Sequence, residues 1–154
     1  MIEPQFVRYR LEHGRQGHAL GMRGDQVLRQ VELPLARKER LMREFQLPAS
    51  DAETFKADAE LGQYFEGIAK DSKNPKAVAN WVINNLRARL SETNEKLAAE
   101  QAAQGIEPAD QRHMGLAEIK FPPAAINELV ALTDGGRISS KIAQDVFNEM
   151  FSTG

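Results

Sequence analysis

Apolar residues recur at helical spacing through most of the chain after residue 32, and no alternating Val/Ile/Thr run or Asn-Gly hairpin marks a strand. Pro34 suits a first helical turn, where its missing N–H is not needed. Leu41, Met42 and Phe45 then form an apolar edge, and Leu47-Pro48 ends the segment. Ser50 or Asp51 is placed to cap a second helix. Leu61, Tyr64, Phe65, Ile68 and Ala69 fall at the spacing of one buried helical face. The turn that follows has Asn74 as candidate N-cap and Pro75 at the first helical position.

The helix opening at Pro75 carries the strongest pattern. At about 100° per residue, Ala77, Val78, Ala79, Trp81, Val82, Ile83, Leu86 and Leu90 cover a wide arc. Lys76, Asn80, Asn84 and Arg87 fall on a narrow polar stripe opposite. A helix this apolar belongs in the middle of a bundle, and Asn85, inside the arc, needs a hydrogen-bond partner there. A polar extension through Glu92–Gln104 leads to a loop from Gly105 to Gly115. One further helix starts near Pro122-Pro123 with Ile126, Leu129 and Val130. Another follows Asp134-Gly135-Gly136 with Ile138, Ile142, Val146, Phe147 and Met150, the Gly pair being a helix stop. The expected fold is an all-α helical bundle over residues 32–154.

Residues 1–31 read differently. Glycines at 14, 17, 21 and 24 each cost helix stability, so a flexible or weakly ordered segment is expected, with at most a short helix from Val7 to Arg15.

Charge and composition narrow the chemistry. Twenty Lys+Arg against 22 Asp+Glu give a formal net charge of -2, which excludes coating nucleic acid by bulk charge but not a local basic patch. No run approaches the roughly 18 apolar residues of a membrane span, and no signal peptide follows Met1. The absence of cysteine agrees with a reducing, cytoplasmic setting. His13, His18 and His113 do not fall at metal-ligand spacing. Gly135 to Lys141 lacks the spacing of a phosphate-cradling loop, and Ser139 and Ser140 lack a nucleophile elbow. Asp51, Glu53, Asp58, Glu60 and Glu66, opposed only by Lys56, read as a solvated face. No catalytic, cofactor-binding or metal-binding residue is expected.

One charge feature points to a partner. Between residues 70 and 89, Lys70, Lys73, Lys76, Arg87 and Arg89 face a single acid, Asp71. Lys73, Lys76 and Arg87, with Asn80 and Asn84 as donors to phosphate or ribose oxygens, are the candidate RNA-binding residues. Arg37, Lys38, Arg40 and Arg43 form a second local excess.

Two stretches carry a family resemblance. Asn74-Pro75-Lys76-Ala77-Val78-Ala79-Asn80-Trp81 resembles the Asn-Pro-Lys-x-x-Ala-Asn-Trp segment of the B-type subunit of the tRNA-dependent amidotransferases, the GatB family. Asp134 to Met150 is similar to that family's Gly-x-Ile-Ser-x-Lys-Ile-Ala segment and its continuation. Leu33-Pro34, Arg37-Lys38-Glu39-Arg40 and Tyr64-Phe65-Glu66 follow the family order. Asn85 departs from it, since that position is often acidic.

The resemblance implies the helical domain of the GatB/YqeY region, without the catalytic cradle and the rest of the tail, so no catalytic residue carries over. ATP and magnesium are implied only for the full-length family. The implied partners are A-type and C-type amidotransferase subunits and tRNA, with no DNA and no membrane. Trp81, Gly135, Gly136, Ile138, Ile142, Val146 and Phe147 are then structural residues that build the packing. The alternative is a stand-alone helical module that binds protein or RNA without the enzyme.

Overall fold

The computed structural model describes residues 32–154. The helix expected at Val7–Arg15, the Gly-rich stretch, His13 and His18 lie outside the described residues. The chain divides between Arg37 and Lys38 into two units. Of the first, the described part is the start of helix α1 (Pro34–Glu44) with Arg37 paired to Glu32 at 3.7 Å.

The second unit continues α1 and adds α2 (Ala49–Ala57), α3 (Ala59–Ala69), α4 (Pro75–Asn80), a π-helical segment (Trp81–Leu86), α5 (Arg87–Ala103), α6 (Ala124–Asp134) and α7 (Ser140–Thr153). Single 3₁₀ turns occur at Pro108–Asp110 and Leu116–Glu118. The described residues hold no strand, and the fold is all-α as expected.

The second and third helices are separate because Asp58 breaks the backbone at φ -117° and caps α3, its carboxylate accepting from Leu61 N–H at 3.0 Å. Gly62 follows for a steric reason. A Cβ there would stand 2.8 Å from the Phe55 carbonyl oxygen, so α2 and α3 approach only because none is present. Asn74 caps α4 as expected, accepting from Ala77 N–H at 3.2 Å, with Pro75 in the first turn. Gly136 stops α6 with φ +66°, in the left-handed region that favours glycine.

The core has two aromatic centres. Phe55 stacks on Phe65 at 4.5 Å and Phe45 meets Phe65 edge-on at 5.3 Å. Phe147 collects Trp81, Phe121 and Phe151 at 5.4, 5.9 and 6.4 Å. Leu41, Ile68, Val78, Val82, Leu86 and Ile126 join the two centres, each essentially without solvent contact. Burying a side chain of this size contributes about 1.5–3 kcal/mol. Helix α5 has no fully buried residue and packs Leu90 half-buried against the core. Its amides instead hold the returning loop: Asn94 exchanges two hydrogen bonds with the Met114 backbone, at 3.1 and 2.6 Å, and Gln101 does the same with Arg112, at 3.0 and 2.7 Å.

Four local expectations need correction. Helix α2 is entered through Pro48 with no side-chain cap, because Ser50 and Asp51 already lie within its first turn. Two acids of α2 and α3, Glu53 and Glu66, are not merely solvated. Lys38 reaches Glu53 at 2.6 Å and Arg40 grips both oxygens of Glu66 at 3.0 Å, so part of the basic run of α1 is matched by these two acids. The helix from Pro75 is α-helical only to Asn80, after which six residues take the wider π turn. Finally, Ile142 and Val146 stay outside the core, 50% and 39% exposed, because α7 packs through Ala143 and Phe147. Ile138 is partly buried against the core ahead of that helix.

Candidate nucleic-acid interface

The segment 70–87 is shaped by its neighbours on both sides. The turn after α3 is closed by Asp71 and Ser72 N–H groups donating to the Ile68 and Ala69 carbonyls at 3.3 and 3.2 Å. The Ser72 hydroxyl accepts from Asn74 N–H at 3.1 Å, which sets the capping residue. Across the bundle, the Asn74 amide donates to Asp134 Oδ2 at 2.8 Å. Farther along, the Gln144 amide donates to Asn85 Oδ1 at 2.7 Å, which supplies the partner that Asn85 required. Arg89 Nε donates to Asn148 Oδ1 at 3.0 Å. The two motif-bearing segments, 74–84 and 134–150, are thus each other's packing partners, joined at Asn74–Asp134 and Trp81–Phe147 and just beyond at Asn85–Gln144.

That framework leaves a set of cations turned outward. Lys70, Lys73, Lys76 and Arg87 are exposed and make no ion pair or side-chain hydrogen bond among the described residues. Arg43, Arg137 and Lys141 share that condition. By contrast Arg37, Lys38, Arg40, Lys56, Arg89, Lys96 and Arg112 are each held by carboxylates. Lys38 and Lys56 hold the Glu53 carboxyl down at about 2 through their hydrogen bonds, and Lys96 and Arg89 lower Glu92 in the same way.

The structure brings some of the candidate residues together and separates one. Lys73 and Lys76 line a polar groove of about 300 Å³ with Phe45, Gln46 and Asn74. Asn84 donates to Asn80 one turn before it, so the two amides act as a bonded pair and keep the Asn80 NH2 group and the Asn84 Oδ1 free. Arg87 begins α5 beyond the π turn. A π turn takes up more residues than an α turn, so Arg87 is rotated off the line that uniform helical spacing gives it.

Sequence reasoning found Asp71 in this stretch but not the acids that α6 brings beside it. Asp71, Glu128 and Asp134 line an adjoining pocket of about 410 Å³ that shares Lys73 and Asn74. Glu128 and Asp134 come from α6, about sixty residues away in the chain, and no local pattern announces them. Among the described residues, no group of three or more His, Cys, Asp or Glu is placed to hold a metal ion, and no helix is long and apolar enough to cross a membrane.

The packing of the two motif segments defines a class, and comparison with known proteins says which. A family model described as the GatB domain matches residues 63–154, and the chain belongs to that family. It is 37% identical over 123 residues to the B-type subunit of the aspartyl/glutamyl-tRNA(Asn/Gln) amidotransferase of Treponema denticola, covering 80% of this chain and 21% of that protein. The same subunit of Carboxydothermus hydrogenoformans is 38% identical, and that of Thermotoga maritima 35%, each over 80% of this chain and 22% of theirs. The chain therefore spans about a fifth of the length of the curated relatives it matches.

Proposed function

We propose that this chain acts as the non-catalytic helical domain of the B-type subunit of a tRNA-dependent amidotransferase, in the cytoplasm, supporting assembly and helping to place the tRNA. ATP, magnesium and the A-type and C-type partner subunits belong, on this reading, to the complete enzyme and not to residues of this domain. The observation that carries the tRNA role is the selective pairing of charges. Among the described residues, seven Lys or Arg side chains are tied to carboxylates, while Lys70, Lys73 and Lys76 stand unpaired along one stretch, ready to meet phosphates, and Arg87 stands unpaired beyond the π turn.

A negatively charged chain binding through a few cations binds weakly and with strong salt dependence. The test is fluorescence anisotropy with labelled bulk bacterial tRNA across a salt series. Micromolar or weaker binding, falling with salt at a log–log slope of about two to four, fits three or four phosphate contacts. No binding at low salt removes the tRNA role and leaves the domain a spacer.

A second reading, a protein-binding module, has one observation in its favour: the exposed Ile142 and Val146 on α7.

A further inference from the structure

We infer that Asp71, Glu128 and Asp134 fence the basic groove on one side and confine the path of an RNA strand across the domain. This rests on the reading of Lys73 and Lys76 as phosphate contacts.

Two recesses meet at Lys73 and Asn74 and differ in charge. The first carries Lys73 and Lys76, and its one acid, Glu44, is paired with Arg40 at 3.2 Å. It presents net positive charge. The second sets three carboxylates against Lys73 alone. Asp71 and Glu128 have no cation or hydrogen-bond donor among the described residues, so their charge is uncompensated. Asp134 is pinned in place by the Asn74 amide at 2.8 Å. On the same wall Asn127 donates to the Ile68 carbonyl at 2.9 Å while its own Oδ1, buried, has no donor among the described residues. On the α6 side that wall carries two carboxylates, Glu128 and Asp134, and no cation, so it repels a phosphate.

The recesses adjoin, so the repulsion operates within the screening length of about 8–10 Å. A strand seated on Lys73 and Lys76 is turned toward Asn80 and Asn84 and away from α6. Specific surfaces combine such repulsive elements with attractive ones.

The test pairs a fence variant with a charge-matched control. Asp71→Asn with Glu128→Gln removes two carboxylates that hold nothing. Glu107→Gln with Asp110→Asn removes two from the loop after α5, roughly 40 Å along the helix axis from Pro75. Labelled bulk tRNA is the probe, and circular dichroism checks that both variants keep their helix content. The fence variant is expected to bind about three- to tenfold tighter at about 50 mM salt, with the gain shrinking below about twofold at about 300 mM. The control should change less than about twofold. Equal gains in both variants overturn the fence, since net charge alone would then explain them. Binding that is lost in Lys76→Glu but unmoved by the fence variant overturns the fence alone. Absence of tRNA binding by the unaltered chain overturns the phosphate-contact reading and the fence together.

Discussion

The rings of Trp81 and Phe147 lie 5.4 Å apart at 41°, and this contact joins the two segments through which the family is recognised. Trp81 sits at the start of the π turn and Phe147 at the inner face of α7. Trp81→Ala and Phe147→Ala should each lower unfolding stability by about 3–5 kcal/mol in chemical denaturation. A loss below about 1 kcal/mol for either would place its ring outside the core.

Tyr64 presents the opposite case, a polar group buried without a partner. Its hydroxyl has no hydrogen bond among the described residues, and burial pushes its pKa from 10.0 up to about 12. The fold favours the neutral phenol, so the unfolded chain releases its proton first as pH rises. Tyr64's contribution to stability should be constant below pH 10 and fall as pH climbs toward about 12. Tyr64→Phe should remove that alkaline loss and raise stability at neutral pH by about 1 kcal/mol. Denaturation midpoints across the range decide it, and a destabilised Phe variant would show that the hydroxyl has a partner.

The exposed stripe on α7 gives a third expectation. Ile142→Ser with Val146→Ser should cost less than about 1.5 kcal/mol together, because half-exposed side chains return little area to water. A combined loss above about 4 kcal/mol would make both core residues after all.

How far the sequence carried each of these sites depended on whether its cause was local. The Asn74 cap, the Pro75 start, the Gly136 stop and the Trp81–Leu86 burial are fixed by neighbouring residues, and each was readable from spacing alone. The π turn was not, because the same apolar pattern fits α and π windings and tertiary packing chooses between them. Ile142 and Val146 continue an apolar repeat that helical spacing assigns inward, yet only one edge of α7 meets the bundle. The ion pairs of α1 with α2 and α3, and the acids of α6 beside Lys73, join residues that are 15 to 60 positions apart. Charge counts within a window cannot see such pairs, which is why Glu53 and Glu66 read as solvated and the acids beside Lys73 went unnoticed.

Arg87 separates the uniform-helix reading from the observed one. Off the line of Lys76, Asn80 and Asn84, Arg87→Glu should weaken tRNA binding less than Lys76→Glu does at the same salt. Equal losses would return Arg87 to the interface.

The central claim, that the unpaired lysines are the RNA contact, is tested most directly by Lys73→Glu with Lys76→Glu in the tRNA salt series. Neither side chain holds another part of the structure, so the variant should fold as the unaltered chain does. The account predicts binding reduced at least about tenfold at low salt, with the log–log slope lowered by roughly one to two units. An unchanged affinity and slope would contradict it, and would leave the outward-facing lysines as no more than a solvated surface.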